Sequence, residues 1–264
     1  MSRLFDAVGR WACTCAASMR ENFAFLGETT VCALSFVVRP RGFRLRDCAL
    51  AFERASFDAL PVTTGIGFLL GFILAFQSAA ALRMFGVEVY VSDLLAIGLF
   101  RELGPLVTAI VLAGRTGSAF AAEIGAMKVD EELDALTTMG LPPVRFLVMP
   151  RVVAAVAAMP VLTAFAELAG LIGGAIVLRM MDVPTSVFWR HVADVSTVFT
   201  ISFGLAKGAF FGALVGLVGC AAGMRTKAAA DGVGRAATSA VVGGIVSIAV
   251  ADGLLAYLCY VWNI

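Results

Sequence analysis

The sequence predicts an all-α, polytopic membrane protein, and three observations carry that prediction. Hydrophobic residues make up 60% of the chain, charged residues only 15%, and the apolar positions are gathered into long runs rather than scattered. With a mean hydropathy of +0.93, the chain has too little polar residue to cover a globule in water, and a bilayer is the solvent that suits it. A helix needs ~20 apolar residues to cross the hydrocarbon. Five runs meet that length: Leu60 to Leu82, Leu94 to Ala122, Phe146 to Leu178, Val198 to Ala222 and Ala237 to Trp262.

Before the first run, Leu4, Val8, Trp11, Cys15, Met19, Phe23 and Leu26 recur at steps of three or four. That spacing predicts an amphipathic helix with one apolar face, lying in the membrane interface. Asp6, Arg20, Glu21 and Glu28 interrupt its apolar positions, so it does not read as a signal peptide. The run from Val31 to Val38 is too short to span and predicts an interfacial or re-entrant piece. Arg39, Arg41, Arg44 and Arg46 then form a basic segment suited to anionic lipid on the cytoplasmic side. We expect residues 1–55 to form this interfacial region and residues 56–264 the transmembrane domain.

The third run is longer than a bilayer needs and contains Pro150 and Pro160, which predicts a tilt, a kink or an extension beyond the membrane. Arg225, Lys227 and Arg235 lie between the fourth and fifth runs, whereas the loop from Phe85 to Asp93 has no Lys or Arg. The loop from Met181 to Thr197 offers only Arg190 and His191 against Asp182 and Asp194. This asymmetry places the N-terminus in the cytoplasm and, after an odd number of spans, the C-terminus on the opposite side. On the fourth run, Gly204, Gly208, Gly212 and Gly216 form a strip on which another helix can pack backbone to backbone, within the chain or across a subunit interface.

The same residues exclude several function classes. No GxxxxGK[ST] sequence occurs, so nucleotide phosphate cannot be cradled here in the P-loop manner. Gly232, Gly234 and Ala237 match GxGxxA only superficially, because they connect two membrane runs rather than a strand and a helix. The single histidine, His191, leaves no HExxH motif, and no nucleophile elbow surrounds it; it reads as an interfacial loop residue. The six cysteines have neither CxxC nor metal-ligand spacing and read as reduced and structural. A net charge of +1 gives nucleic acid no attraction.

Charges at bilayer depth are costly unless paired or turned to a cavity, so they mark structure or function. Arg101 and Glu102 fall in the second run, Glu167 in the third, Lys207 in the fourth and Asp252 in the fifth. They read either as structural pairs, such as Glu167 with Lys207, or as a polar patch that handles a substrate. The stretch from Glu123 to Leu141 is helix-forming and amphipathic. Its apolar positions, Ile124, Met127, Leu133 and Leu136 or Met139, are set apart from Glu123, Asp130, Glu131, Glu132 and Asp134, and it ends at Gly140 before Pro142 and Pro143.

RELGP from Arg101 to Pro105 and AGRTGSAFAAEIGAMKVDEELDALTTMG from Ala113 to Gly140 resemble the permeases of the MlaE/YrbE family, the membrane subunits of MCE-type lipid transport systems. The resemblance continues through Pro150, Arg151, Lys207 and DGVGRAATSAVV from Asp231 to Val242, and Glu167 departs from it. It implies an ABC transporter in the bacterial inner membrane built from two permease copies and two ATPase subunits. A periplasmic ring of MCE-domain proteins and, in some members, a STAS-domain protein would join them. The substrate would be phospholipid moved between inner and outer membranes, with ATP and Mg²⁺ bound by the partner ATPase and no cofactor in this chain. By position, the helix from Glu123 to Gly140, with Met127, Glu131, Glu132, Leu133, Asp134 and Leu136, would couple to the ATPase. Gln77, Arg101, Glu102 and Lys207 would lie near the lipid cavity. The rival reading from the residues alone is a proton- or ion-coupled secondary transporter that uses the intramembrane charges. A purely structural membrane anchor is a third.

Overall fold

The structure, a computed structural model, describes Arg20 and residues 24–34, 45–227 and 230–262. Among these residues there is no strand, and five helices are long and apolar enough to cross a membrane. The chain is therefore an all-α, multi-pass membrane protein. The interfacial stripe from Leu4 to Phe23 and the arginines at 39, 41 and 44 lie outside the described residues. The short helix α1 (Ala24–Leu34) is described, and it packs Phe25 and Cys32 against the core.

The first span is α2 (Leu45–Leu82), which begins fifteen residues before the apolar run that announces it. The early turns carry Arg46, Glu53, Arg54 and Asp58, all exposed, while Cys48, Ala55, Ser56 and Ala59 are buried. Hydropathy alone stops at such charges, but an amphipathic helix continues through them, and through the expected boundary at residue 55. Further along, Thr63, Gly67, Gly71, Ala75 and Ala79 are buried at every fourth position. This small-residue face lies against the third span, α7 (Met149–Met180), at backbone contact. A Cβ at Gly67 would sit 2.8 Å from Ala166 Cα, one at Gly71 would fall on the Gly170 carbonyl, and one at Gly170 would meet the Gly67 carbonyl at 3.0 Å. Lipid tails are as apolar as Leu, so close van der Waals packing of this kind is what holds membrane helices together.

The second span, Glu88–Val129, is a chain of three α-helical pieces: α3 (Val91–Gly98), α4 (Gly104–Leu112) and α5 (Ser118–Val129). π-turns at Leu99–Leu103 and Ala113–Gly117 join them. A third π-turn, Val144–Val148, leads into α7, so Pro150 lies in the first turn of that helix, where a missing N–H does no harm. Pro160 is carried inside α7.

Between the second and third spans the structure differs from one continuous helix over 123–140. α5 ends at Val129, Glu131 adopts a left-handed backbone conformation (φ 59°), and a separate helix, α6 (Glu132–Thr138), follows. Glu123 and Met127 therefore belong to the end of the second span. Gly140 (φ 74°) ends the segment in the conformation that glycine tolerates best. After α7, residues expected as loop form α8 (Thr185–Val195), whose Phe188 and Val192 are buried while Trp189, Arg190 and Asp194 are exposed. The fourth and fifth spans are α9 (Val198–Met224) and α10 (Ala230–Val261).

The backbone contact between α2 and α7 supplies a stability test. Gly71→Leu should lower stability by at least about 3 kcal/mol or abolish folding. Gly65→Ala, where nothing lies within 4 Å of the added methyl, should be neutral or stabilise by up to ~1 kcal/mol. Thermal unfolding of the detergent-solubilised variants reads both.

Candidate functional site

Pro105 sets up the most charged place within the bundle. It has no N–H to offer the carbonyl four residues before it, at Arg101. Lys207 of α9 reaches across, and its Nζ donates to Arg101 O at 3.3 Å. The same ammonium donates to Glu102 Oε2 and forms an ion pair with Asp252 Oδ1 of α10 at 2.6 Å. Lys207 Nζ also lies 5.8 Å from the Phe211 ring centroid. The lysine side chain is 2% exposed, against 39% for Glu102 and 18% for Asp252. One buried cation thus ties together the second, fourth and fifth spans, and the cluster reaches the outside of the bundle through Glu102.

Several sequence-predicted residues surround this cluster. Arg101 places its guanidinium over Phe203, 5.9 Å from the ring centroid. Gln77 is exposed on the first span and does not join the cluster. Asp252, one of the intramembrane charges expected to form structural pairs or a polar patch, does join it. Lys207 pairs with Glu102 and Asp252 and not with Glu167, the pairing offered above as a structural example. Glu167 is buried at 2% exposure, and its Oε1 has no hydrogen-bond partner among the described residues. It packs at Gly104, where an added Cβ would lie 2.7 Å from Glu167 Cγ.

The glycine strip of α9 explains how Lys207 comes so close. A Cβ at Gly204 would strike the Phe100 carbonyl in the π-turn. At Gly208 it would meet Thr163 Oγ1 at 3.1 Å, at Gly212 Ala155 O at 2.6 Å, and at Gly216 Val152 Cα at 3.1 Å. Gly204 thus faces the second span and the other three face the third.

A second polar group stands where α5 meets the start of α7. Arg151 pairs with Glu123 at 2.9 Å and donates to Leu147 O at 3.1 Å. Lys128 donates to Met224 O, capping the carbonyl end of α9. These contacts anchor the base of the α5–α6 segment. On α6 itself Leu133 is buried and Leu136 half-buried, whereas Glu131, Glu132, Asp134 and Met139 are exposed. The result is a short acidic helix with one apolar anchor, presented beyond the end of the second span. On the far side of the bundle, His191 of α8 contacts Asp93 Oδ1 through Nδ1 at 3.1 Å and meets Tyr90 edge-on. It fastens α8 to the start of the second span.

Comparison with known proteins gives this arrangement its context. Residues 50–258 match the family model described as Permease MlaE. A probable ABC transporter permease protein of Rickettsia typhi is 34% identical over 205 residues, covering 77% of this chain and 79% of its own length. A probable ABC transporter permease protein of Synechocystis is 35% identical over 192 residues, covering 72% and 73%. The chloroplastic protein trigalactosyldiacylglycerol 1 of Arabidopsis thaliana is 32% identical over 211 residues, covering 80% of this chain and 60% of its own.

The Lys207 cluster predicts an asymmetry among variants. Lys207→Met alone leaves two carboxylates without their cation and should destabilise by about 3 kcal/mol, the lower end for a broken buried pair because Glu102 keeps some solvent. Adding Glu102→Gln and Asp252→Asn to it should recover most of that loss. Thermal melts of the single and triple variants give the comparison.

Proposed function

This chain belongs to the MlaE permease family, and on that premise we propose that it is the membrane subunit of an ABC transporter that moves phospholipid between the inner and outer membranes of a bacterial envelope. The family makes it an ABC transporter permease, whose partners are ATPase subunits. The finer reading is a homodimer in the inner membrane, N-terminus in the cytoplasm and C-terminus in the periplasm. Two ATPases bind ATP and Mg²⁺ on the cytoplasmic side, a periplasmic MCE ring receives or delivers the lipid, and a STAS-domain protein accompanies some assemblies.

The observation that carries the lipid reading is the Lys207–Glu102–Asp252 cluster in an otherwise apolar bundle. Acyl chains are held by apolar walls with little discrimination, about 0.8 kcal/mol per methylene. Head-group recognition therefore falls to the few polar side chains at membrane depth, and Glu102 and Arg101 are the ones that reach outward. A relative named for a glycolipid supports a lipid substrate. Closure of the ATPases on ATP would push α6 of each permease. Because α5 continues from α6 into the second span, the push would arrive at the π-turn that carries Arg101 and Glu102. Two permeases moving together would then squeeze a lipid held between them.

Three experiments test this. Glu102→Ala should leave the assembly intact and reduce lipid transfer at least tenfold; an unchanged rate in a reconstituted transfer assay would remove Glu102 from the mechanism. Reversing the exposed charges of α6 with Glu132→Lys and Asp134→Lys should leave the permease folded but separate ATP hydrolysis from transfer. Native mass spectrometry of the co-expressed complex should show two permease and two ATPase chains with bound phospholipid. A lone chain that transports without ATP would favour an ion-coupled transporter instead.

A further inference from the structure

A cleft of about 840 Å³ opens between α1, α9 and α10, and its lining includes none of Lys207, Glu102 and Asp252. Its deep wall is apolar and belongs to a membrane span: Leu214, Leu217 and Val218 of α9. Its rim is basic, formed by Arg225, Lys227 and Arg235. Arg235 is paired with Asp231 at 2.9 Å, both side chains being exposed. Arg225 and Lys227 are exposed and have no acidic partner within 4 Å among the described residues. Beside them, Thr226 is 4% exposed and its Oγ1 has no hydrogen-bond partner among the described residues.

We propose that this cleft binds one anionic phospholipid of the surrounding membrane, its phosphate at the Arg225–Lys227–Arg235 rim and its chains along α9 and α10. The charge is complementary, since clustered Lys and Arg at the end of a membrane helix attract anionic head groups. The volume lies within the roughly 300–1,000 Å³ that suits a drug-sized ligand. That holds a glycerophosphate head and the first methylenes but not a whole lipid. The rest of the chains has a surface to follow, because Val242, Val246 and Val250 form an exposed apolar row down α10.

Two other occupants fit less well. The chain's own residues 1–19 and 35–44 carry Arg3, Arg10, Arg39, Arg41 and Arg44 against Asp6 alone, so they repel the rim. An acidic surface on an ATPase would match the rim but could not fill the apolar wall within the membrane span. The site is independent of what the transporter carries: a lipid here is a resident ligand that fixes α1 against the fourth and fifth spans.

The full-length permease, purified in mild detergent and exposed to an equal mixture of phosphatidylglycerol and phosphatidylcholine, is examined by native mass spectrometry. The wild type should retain phosphatidylglycerol in preference. Arg225→Gln with Lys227→Gln and Arg235→Gln should weaken its retention roughly tenfold or more, and Ser239→Trp, which blocks the mouth of the cleft, should remove it. Equal retention of the two lipids by the wild type, a measurement that needs no variant to fold, overturns the proposal. So does retention that survives Ser239→Trp, which would place the lipid on the basic surface at large. Retention lost through Lys207→Met and not through the rim substitutions would move the lipid to the charged cluster. A rim variant that keeps its lipid and loses the co-purifying ATPase would make the rim a protein-docking surface.

Discussion

The buried ammonium of Lys207 is the constraint around which the bundle is arranged. An unpaired charge at bilayer depth is costly, so two other spans supply its partners. The second gives the Glu102 carboxylate and the Arg101 carbonyl, the fifth gives Asp252, and the lysine itself comes from the fourth. No two of these spans can separate without stranding a charge. The fifth span is otherwise largely exposed, with only 11% of its most apolar window buried, and it adds Ala240 and Ile248 to the interior.

The remaining cohesion comes from smallness. α2 and α7 meet at glycine and alanine, and α9 meets α7 and the π-turn of the second span through its own glycines. Backbones at this distance can exchange weak Cα–H···O contacts as well as dispersion. Contacts built this way have few long side chains to rearrange. Such packing suits rigid-body movement of helices, the kind of motion an externally driven transporter requires.

Much of this was legible in the sequence. The five spans follow from apolar runs alone, and the intramembrane charges stood out because so few exist. The ends of the spans were less legible. The early turns of α2 hide behind Arg54 and Asp58, which are tolerated because they point outward. The break in the segment after α5 falls at a glutamate, a residue type that gives no warning of positive φ. α8 mixes Phe188 and Val192 with charged neighbours over too short a length to stand out. The partner of Lys207 could not be chosen between Glu102 and Glu167 from span assignments, because that choice depends on how the helices are rotated. Pro105 did hold a usable clue, since a proline inside a span leaves a carbonyl that some donor must satisfy.

The π-turns have a further consequence for how such a chain can change over time. Each accommodates one residue more than an α-helical turn, so losing a single residue there would restore a regular helix and leave the segments on either side in nearly the same rotation, whereas the same loss inside a regular helix would turn everything beyond it by ~100°. At Leu99–Leu103 such a loss would close the widened turn that carries Arg101 and Glu102 while leaving hydropathy and topology untouched. Families with such turns can preserve their membrane architecture through a one-residue deletion and still change how the polar groups within the turn itself are presented. Gaps in an alignment at these points carry more meaning than gaps of the same size in a loop.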